Sequence, residues 1–315
     1  MQRLARFPWG TYAPLIALIV LIIFSALASE HFLATRNITN VLRQVSYTGI
    51  IALGMTFVII AGGIDLSVGS MVALVGVLCV MLLNHMGDGW YSVIMAMGSA
   101  IAIGGLLGAV NGAIITRGKV ASFIATLATM SILRSLTLYF SDAGEVVSHN
   151  SLFPEIGGGY FWSIPIPVWV FLILAFICHI LLNHTAFGRH VCAIGSNATV
   201  ASYSAIKVRW VYFLTFVIAG VMVGISAIML SSRLNSVSPG DAGLFYELDA
   251  IAAVVIGGTA LSGGRGTIWG TVIGVIILGI INNMLNLLGV SPYLQGTVKG
   301  AVILIAVLAQ FKGDR

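Results

Sequence analysis

Within the apolar stretches of this 315-residue chain stand a few side chains able to bond a solute: Asn111, Thr126, Thr129, Arg134, Asn282, Asn283, Asn286 and Lys299. Amides and hydroxyls both donate and accept hydrogen bonds, so a file of them suits a hydroxylated solute that has shed its water. Asn282 and Asn286 are four apart and share one helix face. An unpaired amide facing hydrocarbon costs several kcal/mol, so each must meet a partner helix or a polar passage. Two readings stand. One is a translocation path through Asn282, Asn286, Asn111, Thr126 and Thr129. The other is hydrogen bonding between helices, with Arg134 and Lys299 snorkelling toward the interface.

No catalytic set accompanies these residues. The chain holds no GxxxxGK[ST], HExxH or GxSxG pattern, the spacings that would place phosphate-binding, zinc-binding or nucleophilic groups. Cys79, Cys178 and Cys192 form no CxxC pair, and an odd number excludes a complete disulfide framework. The expectation is a non-enzymatic protein without metal or cofactor. A proton-coupled pump would bury Asp or Glu mid-span, and Asp65 is the nearest to such a position.

Asp65 lies in Ala61-Gly62-Gly63-Ile64-Asp65-Leu66-Ser67, between two apolar runs. Gly62 and Gly63 can end the first helix; Asp65 or Ser67 can cap the second, where a carboxylate meets the positive end of the helix dipole. A second junction, Gly257-Gly258-Thr259-Ala260-Leu261-Ser262, shares the GG-x-x-L-S core. Transporters often contain internal repeats, and the two junctions fit a decayed duplication.

These residues must be carried by membrane-crossing elements. The chain is 59% apolar and 8% charged, with mean hydropathy +1.05; soluble chains carry about 25% charge. The 37 glycines suit helices that approach closely in lipid. The net charge of +5 comes from scattered residues without a basic stripe, which speaks against nucleic-acid binding. An all-α polytopic bundle of about ten spans follows, at 12–28, 46–62, 67–85, 90–116, 119–140, 164–182, 210–231, 248–262, 267–288 and 294–311, in a single transmembrane domain covering 1–315. Ala26-Leu27-Ala28 fits a signal-peptide cleavage site, but 12–28 exceeds an h-region of about 7–15 residues, so a retained anchor is expected. With both termini cytoplasmic, the inner segments hold ten of the fifteen Lys and Arg, among them Arg117, Lys119, Arg189, Lys207, Arg209 and Arg265. That is the bias the positive-inside rule requires. Removing one middle span would invert it.

The connections carry further expectations. Outer segments fall at about 29–45, 141–163 and 232–247. In 35–45, Ile38, Val41, Leu42 and Val45 recur at helical spacing opposite Asn37, Asn40, Arg43 and Gln44, which reads as an amphipathic helix in the outer interface. Tyr160, Phe161 and Trp162 suit the headgroup level. The inner segment 183–209 is long and polar, and a short helix with Val200, Tyr203 and Ser204 on an apolar face is expected there; connections of this length are usually functional.

Ala61–Ser70 resembles the GGIDLSVGS signature of permease subunits in ribose-type bacterial sugar ABC importers. Tyr246–Val255 with Gly257-Gly258-Thr259, Phe123–Leu127 and Asn282–Val290 are similar to further segments of that family, and the resemblance runs from about residue 38 to 311. It implies a membrane channel of two permease subunits, usually identical, in the bacterial inner membrane. Two cytoplasmic ATPase domains would drive it and a periplasmic sugar-binding protein would supply it. It also implies that the segment between the sixth and seventh helices docks in the ATPase, through Gly188, Arg189, Gly195, Asn197, Ala201 and Ala205. Relatives commonly read Gly-Gly-Asn-Glu-Ala-Ala and then Ser-Gly-Ile there; this chain has Gly195-Ser196-Asn197-Ala198-Thr199-Val200 and Ser204-Ala205-Ile206. Composition alone also admits a secondary transporter or a membrane scaffold.

Overall fold

One helix has almost no solvent-facing surface over its last four turns, and the others are arranged around it. It is α2, Thr35–Ile60, in which every residue from Val45 to Ile60 except Thr48 is buried. A helix apolar on all sides belongs at the centre of a bundle. The computed structural model describes residues 9–313. Along the chain α2 is preceded by α1 (Trp9–Ala28) and followed by α3 (Val68–Met86), α4 (Trp90–Gly118), α5 (Ser122–Phe140), α6 (Pro154–Gly158), α7 (Ile166–His184), α8 (Ala186–Ser196), α9 (Ala198–Tyr203), α10 (Val208–Leu234), α11 (Tyr246–Ile256), α12 (Ile268–Leu287) and α13 (Pro292–Gly313).

Seven helices among the described residues are long and apolar enough to cross a membrane: α2, α3, α4, α5, α7, α10 and α12. The architecture is a polytopic helix bundle. Residues 35–45 do not form a separate interfacial helix, nor does the outer connection reach 45: they are the first turns of α2. No Gly or Pro separates Gln44 from Ser46, so the helix has no reason to stop. The expected span 248–262 is realised as α11, only 11 residues long and so about 16 Å. Gly257 and Gly258 end it well short of a bilayer core of about 30 Å.

The tightest crossing joins α4 to α10. A Cβ on Gly104 would run into the Gly220 carbonyl, one on Gly108 into that of Phe216, and one on Gly220 into that of Gly104. Small residues four apart on both helices let the backbones touch, which replaces the hydrophobic drive that lipid cannot provide. On another side α12 packs on α2, α11 and α1. Asn37 and Asn283 clasp α2 to α12 reciprocally, Asn37 Nδ2 donating to Asn283 Oδ1 at 3.0 Å and Asn283 Nδ2 to Asn37 Oδ1 at 2.7 Å.

The connections around α6 and before α11 carry the strand pairs found among the described residues. Strand β1 (Val146–Val147) pairs antiparallel with β4 (Ser236–Val237), and β2 (Tyr160–Phe161) with β3 (Ile164–Pro165). Asn84 Nδ2 donates to the Val147 carbonyl at 2.8 Å, and the Ser151 N–H donates to Asp88 at 3.0 Å, which with the Ser151 hydroxyl holds the Asp88 carboxyl below its ordinary pKa. Phe161 stacks on Trp162 at 5.3 Å, with Tyr160, Phe161 and Trp162 all exposed, as a headgroup-level aromatic group requires.

Gly108→Leu is expected to separate α4 from α10. Overpacking of this kind costs about 1–3 kcal/mol, because the obstacle is backbone and cannot rotate away. Thermal unfolding in detergent should show a lowered midpoint, whereas Gly98→Leu, where a Cβ meets open space, should leave it unchanged.

Candidate functional site

Three polar assemblies interrupt the apolar bundle. The first surrounds the turn between α2 and α3. Ala61 ends α2, Gly62 takes φ +87°, and Gly62 N–H and Gly63 N–H return to Ile59 O and Val58 O at 2.9 and 2.8 Å. This is the paired closure of a Schellman cap. The next freed N–H groups are met by α5: Ile64 N–H donates to Ser122 Oγ at 3.2 Å and Leu66 N–H to Thr126 Oγ1 at 3.1 Å. Asp65, fully buried, accepts from Ser67 N–H at 2.9 Å and from Ser67 Oγ at 2.6 Å, while Asn111 Nδ2 donates to Ser67 Oγ at 2.8 Å. Ser67 stands at the cap position of α3 but its hydroxyl makes no capping bond. Asn111 and Thr126 are therefore gathered at the Asp65 turn, with Thr129 one turn further along α5 donating to the Thr126 carbonyl.

The second junction repeats the first. Gly258 takes φ +90°, and Gly258 N–H and Thr259 N–H return to Val255 O and Val254 O at 2.9 and 3.1 Å. Gly258 is thus the counterpart of Gly62, so the structural likeness is offset by one residue from the GG alignment read in the sequence. The junctions touch: Gly264 N–H donates to Ile60 O at 2.8 Å.

The 183–209 segment closes on both. It is two helices rather than one, α8 capped by Thr185 Oγ1 on Gly188 N–H at 3.3 Å and α9 capped by Asn197 Oδ1 on Val200 N–H at 3.0 Å. A Cβ on Gly195 would collide with Ile60 O and Gly264 N, so the end of α8 is lodged against the two junctions at once. Gly188 packs as closely on the Leu182 backbone. Ala201 turns inward, whereas Val200 and Tyr203 are exposed at 57% and 85%, so the apolar face expected of α9 points away from the protein. Arg189 and Asn197 are exposed beside them.

The third assembly lies between α2, α11, α12 and α13. A cavity of about 80 Å³ is lined by Gln44, Thr48, Tyr246, Asp249, Asn282 and Lys299 among others. Lys299 Nζ donates to Asp249 Oδ2 at 3.0 Å. Asn282 Oδ1 is buried without a hydrogen-bond partner. Asn286, one turn along, is exposed at the end of α12 and accepts from Gln295 Nε2 at 2.9 Å. Asn282 is thus separated from Asn111, Thr126 and Thr129, which belong to the Asp65 turn. Arg134 lies elsewhere again, its Nη1 donating to Pro239 O at 2.7 Å and Ala242 O at 3.0 Å. It holds the backbone of the segment leading into α11.

The helix bundle thus carries two glycine-capped junctions in contact, the 183–209 segment seated on both, and a separate polar cavity. Residues 37–307 match the family described as branched-chain amino acid transport system / permease component. The chain belongs to this family. The ribose import permease protein of Bacillus subtilis is 48% identical over 302 residues, covering 95% of this chain and 92% of that one. That of Haemophilus influenzae is 42% identical over 298 residues, covering 93% and 91%, and the D-allose transport system permease protein of Escherichia coli 39% over 300 residues, covering 95% and 91%. No solved structure matches. As a permease component the chain is a multi-pass protein of the bacterial cytoplasmic membrane, and an ATPase and a substrate-binding protein are the partners the family implies.

Nothing local in the sequence marks Gln44, Thr48, Tyr246 and Asp249 as lining one cavity. The spacing in 35–45 puts Gln44 on the polar face of an interfacial helix, and the 50 residues between Asp249 and Lys299 leave no local signal of their pairing. Ala205 shows the reverse case. It takes φ +60°, a conformation costly for any residue with a Cβ, where the resembling family commonly has glycine.

Gly195→Val should disrupt the contact of α8 with both junctions, lowering the yield of folded protein and abolishing uptake. Ala205→Gly should do the opposite, raising stability by about 1 kcal/mol, read as an upward shift in the thermal midpoint without loss of uptake.

Proposed function

We propose that the chain is the transmembrane subunit of an importer of ribose or a closely similar monosaccharide. In this reading two identical permease subunits form the channel, two cytoplasmic ATPase domains bind the 183–209 segment, and a periplasmic binding protein delivers the sugar. The observation that carries it is the 42–48% identity with ribose import permeases over 93–95% of the chain. The permease itself hydrolyses nothing; the ATPase domains supply the energy. The whole chain acts as one transmembrane domain with ten spans and both termini cytoplasmic, a reading supported by the distribution of Lys and Arg and by α11 and α12 returning as a hairpin.

Coupling falls to Gly188, Arg189, Gly195, Asn197, Ala201 and Ala205, with Val200 and Tyr203 exposed toward the ATPase. The contact of Gly195 with both junctions supports this assignment, because a push on α8 meets the interrupted ends of α2 and α11 together. Gly62, Gly63, Asp65, Ser67, Gly257 and Gly258 act as the turns through which that push is received. The translocation path runs by Asn282, with Asn286 nearer the outer mouth. The side-chain bonds of Asn111, Thr126 and Thr129 favour a supporting role for these three.

Reconstitution tests the reading. In proteoliposomes with the ATPase and binding protein, ATP should drive uptake of radiolabelled ribose, and omission of either partner should abolish it. Uptake by the permease alone under an ion gradient would instead identify a secondary transporter. Asn282→Leu should assemble normally, since it removes an unsatisfied amide, yet lower uptake about tenfold. For topology, in a Cys192→Ser background an impermeant thiol reagent should label Glu155→Cys in intact cells and Ser202→Cys only after permeabilisation.

A further inference from the structure

α11 begins in an unusual place. Its 11 residues end at the inner junction, so at about 1.5 Å per residue its N-terminus stops about half-way across a bilayer core. The approach to it is irregular backbone: Arg134 holds Pro239 O and Ala242 O, Gly243 takes φ +70° against the Gly69 backbone, and Phe245 takes φ +63°. An aromatic residue held in that region marks a site where the surrounding structure imposes the conformation. Such interruptions at membrane depth are tolerated where they are buried in protein or line a cavity.

Here they line two. Tyr246 forms a wall of the 80 Å³ polar cavity and also of a second cavity, of about 140 Å³, between α3, α10 and the 236–246 segment, which includes Ser231, Ser236 and Asp241. Within the polar cavity, Thr48 is the one residue of α2 between Val45 and Ile60 that is not buried, and it stands near the middle of that 26-residue helix. Asn282 Oδ1 is a buried acceptor without a donor, and only one of the three Lys299 donors is accounted for by Asp249.

We infer that the cavity bounded by Thr48, Asp249, Asn282 and Lys299 is a mid-depth subsite that receives the hydroxyl edge of a neutral polyol, with Tyr246 as the wall separating it from the outer cavity. The inference rests on the transport reading above. A hydroxyl can accept from an ammonium and donate to an amide oxygen at the same time. The paired charges also select. An anion entering the cavity faces Asp249 and a cation faces Lys299, whereas a neutral polyol opposes neither. The cavity, about 80 Å³, has room for several waters, so a polyol enters it with one hydroxyl-bearing edge at a time.

The test uses the reconstituted transporter with ATPase, binding protein and radiolabelled ribose. Removing one charge would leave the other buried and unpaired, so both are removed together in Asp249→Leu/Lys299→Met. Replacing a buried pair by apolar residues of similar size is commonly neutral or stabilising. A pair with only a structural role predicts restored assembly and wild-type uptake. A subsite predicts restored assembly with maximal uptake at least tenfold lower and an unchanged half-saturating ribose concentration, which the binding protein sets. Thr48→Val keeps the side-chain shape and should slow uptake severalfold; it decides the matter should the double variant fail to assemble. Wild-type uptake that both assembled variants retain within twofold overturns the subsite alone. A wild-type complex that takes up no ribose overturns the transport reading and the subsite with it.

Discussion

A peptide group that leaves a helix inside a bilayer finds no water, so the protein itself must supply its partner. At three places where helices end, 61–67, 238–245 and 257–267, the protein meets freed peptide groups from within itself. The first is closed by its own Schellman bonds and by Ser122 and Thr126 of α5. The second leans on Arg134. The third is closed by the same cap geometry as the first and is tied to it by Gly264 N–H on Ile60 O. That last bond makes the two junctions one mechanical unit, and Gly195 seats the inner segment on it. The glycines there are space for backbone, which no flexible side chain could vacate.

The cost of charge inside the membrane explains how the cations are used. An ammonium or guanidinium moved into hydrocarbon loses several kcal/mol of hydration, and a single ion pair repays this only with good geometry. Arg134 meets the condition with two carbonyls on one segment, so its charge is spent on holding backbone. Lys299 meets it with one carboxylate oxygen and retains further donors beside an unpartnered amide. The two cations were equivalent in the sequence. Their surroundings give one a structural duty and place the other in a cavity.

Close helix contact through small residues has a second consequence. Where α4 and α10 meet through Gly104, Gly108 and Gly220, backbone touches backbone and no polar side chain is needed as glue. The Asn37–Asn283 clasp does the same work between α2 and α12 with amides. With these crossings secured, Asn282 has no packing partner to satisfy, and Thr48 is free to face a cavity from an otherwise buried helix.

The membrane class, the helical architecture, the existence of both glycine junctions and a short helix within the polar 183–209 connection were legible from sequence. Each depends on composition or on neighbours within a few residues: apolar run length, Gly at helix ends, polar content in a long connection. Even there, local pattern misled where a helix continued through 35–45, because nothing in the amphipathic spacing marks that its first turns join a span. What tertiary structure alone decided is which polar residues share a space. Asn111 and Asn282 read alike, as amides in apolar runs, yet one completes the Asp65 turn 44 residues away and the other opens into a cavity with Asp249 and Lys299. Hydrogen bonds and ion pairs act over about 3 Å, so their partners are set by how helices from distant parts of the chain are rotated against one another, and periodicity along a single helix does not contain that rotation.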